Sequence, residues 1–262
     1  MPTDAIAADN TAHTIPDEML GLWAVPDCRA PERYAYHSKT HVLYLTKDDA
    51  MLRPISLKSG GPDYRVLDTD GKQYPFLLHN DGIIEIGILA NNMPLITSDN
   101  WDNLPIDQRR EFMHCEEDLP APHMISVIAL QMLDHLEESC KTDASETCRQ
   151  KIFDMADHDN NDEISIEEGV EAGLVSLYLD MLLSGDPVKN TVTDKLLQNG
   201  YRETSAYMNE MIFQLDQNQS GAISLDELYG LRSDQAQKLS SYPSFQAQQA
   251  LVKTYPAIGR SN

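Results

Sequence analysis

The chain has 262 residues, of which 41% are hydrophobic, so it can build one large or two ordinary folded domains. Its 42 acidic residues outnumber its 20 Lys and Arg residues and give a formal net charge of −22. This surplus disfavours nucleic acid and anionic membranes as partners and favours cations and basic partners. The sequence also contains neither a transmembrane-length apolar run nor an intact export signal.

The first half of the chain, residues 16–120, has the pattern of an antiparallel β domain. Short apolar runs such as HVLYLT, YRVLDT and IIEIGIL are separated by turn signals. Asp70-Gly71 and Asp81-Gly82 lie between such runs, where tight hairpins need residues that accept positive φ. A meander with a barrel-like or sandwich-like form is the simplest prediction.

Some parts of this half have weaker patterns. We predict that residues 1–15 are disordered and that residues 97–117 form a loop with a short closing element. His37 and His41 have a spacing that suits metal binding, but a single strand through both would separate them by about 13 Å. We therefore expect no metal site there.

The second half is predicted to be helical, with a domain boundary near residue 121, between Pro120 and Pro122. Residues 121–240 keep apolar residues at helical spacing. A short helix and a tail are predicted for residues 241–262. The predicted helices are 124–139, Ser145 to Ala156, Ile166 to Ser184, Val188 to Gln198, Glu203 to Leu215 and Leu225 to Ser240.

Four cysteines give a hypothesis about the compartment. Cys28 and Cys115 bracket the β-rich segment, while Cys140 and Cys148 flank a polar turn, so we predict these two disulfides. Free buried thiols are the alternative. Disulfides would place the protein in the periplasm or outside the cell, and free thiols would fit the cytoplasm.

Residues 157–168 read DHDNNDEISIEE and match the spacing of a loop that surrounds Ca²⁺. Ca²⁺ takes six to eight oxygen ligands, which a twelve-residue loop supplies from positions 1, 3, 5, 7, 9 and 12. Position 6 is Asp162, where the turn requires a positive φ that Asp tolerates better than most residues. The predicted ligands, with Glu163 acting through its carbonyl, are Asp157, Asp159, Asn161, Glu163, Ser165 and Glu168.

Residues 216–227 read DQNQSGAISLDE and repeat the same pattern. Gly221 occupies position 6, as the turn prefers. Ile223 and Ile164 both occupy position 8, where the two loops are expected to pair through a short β bridge. The predicted ligands, with Ala222 acting through its carbonyl, are Asp216, Asn218, Ser220, Ala222, Ser224 and Glu227.

Both segments and their helical flanks resemble the EF-hand calcium-binding family, over residues 143–240. The resemblance implies a helix-loop-helix pair that holds two Ca²⁺ ions, one in each loop. Asp157 and Asp216 are 59 residues apart, whereas two adjacent hands would start about 35 to 40 residues apart. We therefore predict an inserted helix between the hands. The β domain is not assigned to a family.

The sequence thus predicts an α+β protein that binds calcium without being an enzyme. It would act as a sensor, a buffer or a calcium-stabilised interaction protein with a protein or peptide partner. Four methionines lie on helices around the loops and either pack in the core or line a groove: Met155, Met181, Met208 and Met211. The candidate occupants of such a groove are Phe245, Leu251 and Val252. The alternative is an enzyme or small-ligand carrier whose β domain holds the pocket and whose EF-hands are structural.

Overall fold

A computed structural model shows two compact units, Met1–Leu119 and Pro120–Asn262. The structure describes residues 15–29, 31–57, 63–67, 73–79, 82–86, 105, 109–115, 119, 121–140, 145–230 and 232–247. Apart from residue 15, the segment predicted to be disordered lies outside these ranges. The predicted α+β class is confirmed, because an antiparallel sheet precedes a helical region.

In the described residues of the N-terminal unit, nine strands follow a 3₁₀ turn at Asp17–Met19. The strands are β1 (Gly21–Val25), β2 (Arg33–His37), β3 (His41–Thr46), β4 (Asp49–Pro54), β5 (Ser56–Leu57), β6 (Asp63–Leu67), β7 (Gln73–His79), β8 (Gly82–Ile86) and β9 (Arg109–His114). The predicted turn at Asp70-Gly71 and residue Asp81 lie outside the described residues. The strands on either side of these two turns do pair as hairpins.

Within this unit the strands lie in the order β4-β3-β2-β1-β9-β8-β7-β6-β5, and all neighbours are antiparallel. Strands β4 and β5 stand at opposite ends of this order, yet only Ile55 separates them along the chain. The sheet must therefore curve round on itself, which fits the barrel-like form of the prediction. The closing element predicted in residues 97–117 is β9, an interior strand between β1 and β8.

Apolar side chains are buried on both faces of the sheet around β1. One face carries a buried cluster around Trp23 that includes Ala35, Phe76 and Phe112. The indole Nε1 of Trp23 donates a hydrogen bond of 3.0 Å to the carbonyl of Met19. On the other face, a second buried cluster surrounds one of the disulfides.

Both predicted disulfides are present, and no described cysteine is free. Cys28–Cys115 joins positions 87 residues apart and links the end of β1 to the end of β9. Cys140–Cys148 closes a short connection between two helices of the second unit. Two such bonds are typical of proteins that fold in an oxidising compartment.

The described residues of the second unit form helices and three two-residue strands. Its helices are α1 (Ala121–Ser139), α2 (Ser145–Ala156), α3 (Ile166–Leu183), α4 (Asn190–Lys195), α5 (Tyr201–Leu215), α6 (Leu225–Tyr229) and α7 (Ser233–Leu239), and its strands are β10 (Glu163–Ile164), β11 (Val188–Lys189) and β12 (Ile223–Ser224). A π-helix, Leu196–Gly200, connects α4 directly to α5. Among the described residues, no helix has the length and apolarity needed to cross a bilayer.

Two predicted helix boundaries are wrong, and both concern glycine. The predicted break near Gly200 does not occur, because the helix continues through it from residue 190 to residue 215. A Cβ on Gly200 would lie 2.8 Å from Leu174 of α3, so this glycine permits close helix packing. The helix predicted from Leu225 to Ser240 is divided instead, since α6 ends at Gly230.

The histidine pair also differs from the prediction of a single strand. His37 ends β2 and His41 begins β3, and the Ser38 amide donates to the His41 carbonyl across the turn (2.9 Å). His37 packs against Trp23 and the edge of Phe76, with ring centroids 6.3 and 6.2 Å away. Burial lowers the pKa of His37 to about 4, although a hydrogen bond with the Met19 backbone opposes that shift.

Because His37 is buried, we expect the N-terminal unit to be less stable in mild acid. The unfolded chain takes up a proton on His37 near pH 6.5, whereas the folded unit does so only near pH 4. The free energy of unfolding should therefore fall by about 3 kcal/mol as the pH drops from 6.5 to 4. His37→Gln should remove this slope of the free energy of unfolding against pH, measured by urea unfolding.

Tryptophan fluorescence is the suitable probe, because both tryptophans, Trp23 and Trp101, belong to the N-terminal unit. The matched control is Lys39→Gln, which changes an exposed side chain two residues from His37 and should keep the slope. An unchanged slope in His37→Gln would contradict this account of the core.

Candidate metal centre

Loop one, residues 157–168, connects α2 to α3 and gathers three carboxylates at one place. Asp157 and Glu168 are buried and Asp159 is exposed, and each offers an oxygen such that all three oxygens lie within 4.8 Å of one another. Oxygens that bind one Ca²⁺ at 2.3 to 2.6 Å are at most about 5 Å apart. The three carboxylates therefore fit a single divalent cation.

Glu168 holds both ends of loop one. Its Oε1 accepts hydrogen bonds from the amides of His158 (2.8 Å) and Asp159 (3.3 Å) near the start of the loop. Its Oε2 accepts from the amide (2.9 Å) and hydroxyl (2.7 Å) of Ser165, the N-cap of α3. Burial raises the pKa of Glu168, but these hydrogen bonds outweigh it and the net pKa lies below its ordinary value.

Asp157 organises the middle of the same loop. Its Oδ1 accepts from the amide of Asn161 (3.1 Å), and its Oδ2 accepts from the amide of Asp162 (2.9 Å). The side-chain Oδ1 of Asn161 in turn accepts from the amide of Glu163 (2.8 Å). The chain thus winds around its own side-chain oxygens, which brings them to the inside of the turn.

Loop two, residues 216–227, connects α5 to α6 and repeats this network. Asp216 accepts from the amides of Ser220 (3.1 Å) and Gly221 (2.9 Å). Oε1 of Glu227 accepts from the amide of Gln217 (2.8 Å). These three distances equal the corresponding ones in loop one, although the donors are different residue types. Burial raises the pKa of Glu227, and its hydrogen bonds again bring the net pKa below its ordinary value.

Several predicted ligands also have structural roles within the loops. Asn218 Oδ1 accepts from the Ser220 amide (2.8 Å), and Asp159 Oδ1 accepts from the Asn161 amide (3.2 Å). The Ala222 carbonyl accepts a long hydrogen bond from the hydroxyl of Ser220 (3.5 Å). All twelve predicted ligand residues therefore lie in two equivalent turns, at equivalent positions.

The serines at position 9 have a role that was not predicted from the sequence. Ser165 and Ser224 are N-caps, and each forms a reciprocal capping box with the glutamate three residues later. The Ser224 hydroxyl donates to Glu227 at 2.9 Å. The repeated Ser-x-x-Glu pattern was the available signal, since this spacing marks helix N-termini.

The backbone takes left-handed conformations at the predicted place and at one further place in each loop. Asp162 has φ 66° and Gly221 has φ 85°, as position 6 of each loop requires. Asn160 and Gln219, both at position 4, have φ 55° and 62°. These last two were not predicted; Asn often takes positive φ, but Gln has no such preference.

The two loops pair with each other. Strands β10 and β12 are antiparallel, with Ile164 opposite Ile223 as predicted, and both isoleucines are buried. Asn218 Nδ2 also donates to the Glu163 carboxylate of the other loop (3.4 Å). The inserted segment between α3 and α5 therefore does not prevent pairing.

An apolar core lies beneath the paired loops. Met208 and Met211 of α5 are buried in it with Phe153 and Tyr207. Phe245, from the segment after α7, is buried in the same cluster. Leu251 and Val252, which were grouped with Phe245 as groove occupants, lie outside the described residues.

Variants of Asp162, which has a positive φ in loop one, test the cost of its backbone conformation separately from the loss of its charge. Asp162→Asn and Asp162→Ala remove the same charge, but Ala tolerates φ 66° less well than Asn. We expect Asp162→Ala to be less stable than Asp162→Asn by about 1 kcal/mol in chemical unfolding followed by circular dichroism at 222 nm. Equal stability of the two variants would show that the left-handed turn carries no such cost.

Comparisons with protein-family models, with curated proteins and with solved structures give no match. We therefore interpret the two loops from their own geometry.

Proposed function

We propose that this protein binds two Ca²⁺ ions, one in each loop, through an EF-hand pair. The single observation that carries the proposal is the duplicated scaffold, in which an Asp at position 1 and a Glu at position 12 accept equivalent backbone hydrogen bonds in both loops. Solvated acidic turns have no reason to share one geometry at two places in a chain. The role we propose is non-enzymatic, as a sensor, a buffer or a calcium-stabilised interaction protein.

The donor set favours Ca²⁺ among divalent metals. The predicted ligands of both loops bind through oxygen, and the three-carboxylate group of loop one contains no histidine or cysteine. Hard oxygen ligands suit Ca²⁺ and Mg²⁺, whereas Zn²⁺ selects nitrogen and sulfur. A flexible twelve-residue loop with six or more oxygens meets the larger coordination number of Ca²⁺.

The two disulfides and the proposed calcium sites together support a location outside the cytoplasm. Disulfides persist in secreted and periplasmic proteins, and extracellular calcium modules bind with dissociation constants of roughly 10⁻⁴ to 10⁻³ M. We propose a periplasmic or secreted location. A basic protein or peptide is the favoured partner, because the chain carries a net charge of −22.

The buried position of Phe245 suggests how calcium and a partner would be linked. Phe245 closes the apolar core that Met208 and Met211 share with the isoleucines of both loops. A change in loop geometry on binding Ca²⁺ would act on this core directly. A partner with an apolar anchor would then take the place of Phe245.

Calorimetry on two loop variants tests the sites separately. Loop one has three carboxylates among its predicted ligands and loop two has two, so loop one should bind Ca²⁺ more tightly. We expect Asp157→Ala to remove the tighter binding event and Asp216→Ala to remove the weaker one. Asp186→Ala, an exposed position outside both loops, is the control and should retain both events.

The proposal fails if the wild-type protein releases or absorbs no binding heat and shows no saturation with Ca²⁺. Equal effects of Asp157→Ala and Asp216→Ala on one event would contradict the order of affinities.

A matched pair of glycine variants separates a loop effect from a general loss of stability. Gly221 and Gly185 have φ 85° and 83°, and neither has an atom within 4 Å of an added Cβ. Alanine at either position should therefore lower stability by a similar amount, about 1 kcal/mol. Only Gly221→Ala should weaken Ca²⁺ binding, by roughly tenfold at one site, because only its amide supports a ligand.

Thermal unfolding and calcium calorimetry on the same samples would check this prediction. Equal weakening of Ca²⁺ binding by Gly185→Ala would indicate that the loop contributes nothing specific.

A further inference from the structure

A cavity of about 110 Å³ lies in the N-terminal unit, far along the sequence from the calcium loops. Its walls come from strands β1, β3 and β9 and from the start of β2. The residues that line it are Val25, Glu32, Arg33, Thr46, Arg110 and Phe112. Four of these six are polar or charged, which distinguishes the cavity from a simple packing defect.

Strand register places these residues on one face of the sheet. Val25 is opposite Arg33, and Arg33 is opposite Thr46 on the next strand. Directly paired residues of antiparallel strands point to the same face. Arg110 and Phe112 are two residues apart on β9 and therefore also share a face. Phe112 belongs to the buried cluster around Trp23 and the partly buried Val25 packs against it, so the cavity borders that cluster.

The charge of the lining is opposite to that of the whole chain. Two guanidinium groups and one carboxylate give the lining a net charge of +1, in a protein with a net charge of −22. Arg33 lies over the ring of Tyr44, 5.8 Å from its centroid. Within the described ranges, the side chain of Arg110 forms no hydrogen bond and no ion pair, and the side chain of Arg33 forms no ion pair. Both guanidinium groups thus keep hydrogen-bond donors for a ligand.

We propose that this cavity binds the carboxylate head of a small organic monoanion. Guanidinium groups bind carboxylates through paired, charge-assisted hydrogen bonds. A net charge of +1 matches one carboxylate better than a doubly charged phosphate. Val25 and Phe112 supply an apolar wall for the organic part of the ligand.

The size of the cavity sets a limit on the ligand. It has room for more than one water molecule. It is smaller than the clefts of about 300 to 1,000 Å³ that enclose whole drug-sized ligands. The carboxylate and the atoms next to it would therefore be held inside, and the remainder of the ligand would extend to solvent. This proposal does not depend on calcium binding.

Benzoate is a suitable probe, since it joins a carboxylate to a short apolar body. The experiment is an NMR titration of the full, Ca²⁺-saturated chain that follows the arginine Nε–H signals. We expect saturable shifts for Arg33 and Arg110. Arg33→Gln or Arg110→Gln should weaken binding by about tenfold or more, because each removes a charge-assisted interaction.

Three further variants sharpen the test. Glu32→Gln raises the net charge of the lining and should tighten benzoate binding. Arg33→Lys keeps the charge but loses the planar fork, so it should bind more weakly than the wild type while folding normally. Arg109→Gln is the matched control, because its side chain points to the opposite face of β9 and the affinity should not change.

The ligand class is tested with phenyl phosphate and benzyl alcohol. Benzoate should bind more tightly than either of them. The proposal is overturned if benzoate does not saturate, if phenyl phosphate binds more tightly, if benzyl alcohol binds equally well, or if Arg109→Gln weakens binding as much as Arg110→Gln.

Discussion

The hydrogen bonds of Glu168 and Glu227 fix the geometry on which the helical unit depends. One oxygen of each carboxylate accepts a hydrogen bond from an amide at the start of its loop. The other oxygen accepts a hydrogen bond from the amide of the serine that caps the following helix. The angle between the helices before and after each loop is thereby tied to one side chain. A cation bound by the same carboxylate would act on both helices at once, and the two ends of the loop could not respond independently.

The paired isoleucines extend this constraint from one loop to the other. Ile164 and Ile223 join the loops through β10 and β12 and are buried in the core that also holds α3 and α5. The inserted segment adds length between the loops without separating them, because α4, the π-helix and α5 form one helical run. Close packing at Gly200 against Leu174 keeps that run against α3.

Features that depend on local spacing were predictable from the sequence. Oxygen-bearing residues at alternate loop positions predicted both turns, and their position-8 isoleucines predicted the pairing. The polar turn between Cys140 and Cys148 and the β-rich segment between Cys28 and Cys115 likewise predicted the two disulfides. The turns and the Cys140–Cys148 bond depend on a few neighbouring residues. The Cys28–Cys115 bond and the pairing of Ile164 with Ile223 join distant positions, and their prediction came from the bracketed β segment and from the repeated loop pattern.

Features that depend on tertiary contacts were not predictable. Gly200 resembles a helix stop, but packing against α3 keeps the helix intact, while Gly230 ends a helix that the apolar pattern would continue. Strand β9 contains charged residues, and most of its side chains are exposed or half-buried. Its interior position in the sheet follows only from its pairing with β1 and β8. The arginine-lined cavity draws residues from four strands, which no local window of sequence brings together.

Under the two proposals the units carry separate chemistry: oxygen ligands would hold a cation in the helical unit, and guanidinium donors would hold an anion in the β unit. The central claim concerns the cation, and native mass spectrometry tests it most directly. In excess Mg²⁺, which screens the acidic surface, the chain should retain two Ca²⁺ ions at saturation. A chain without bound Ca²⁺, or with a count that rises steadily without a plateau at two, would contradict the proposal.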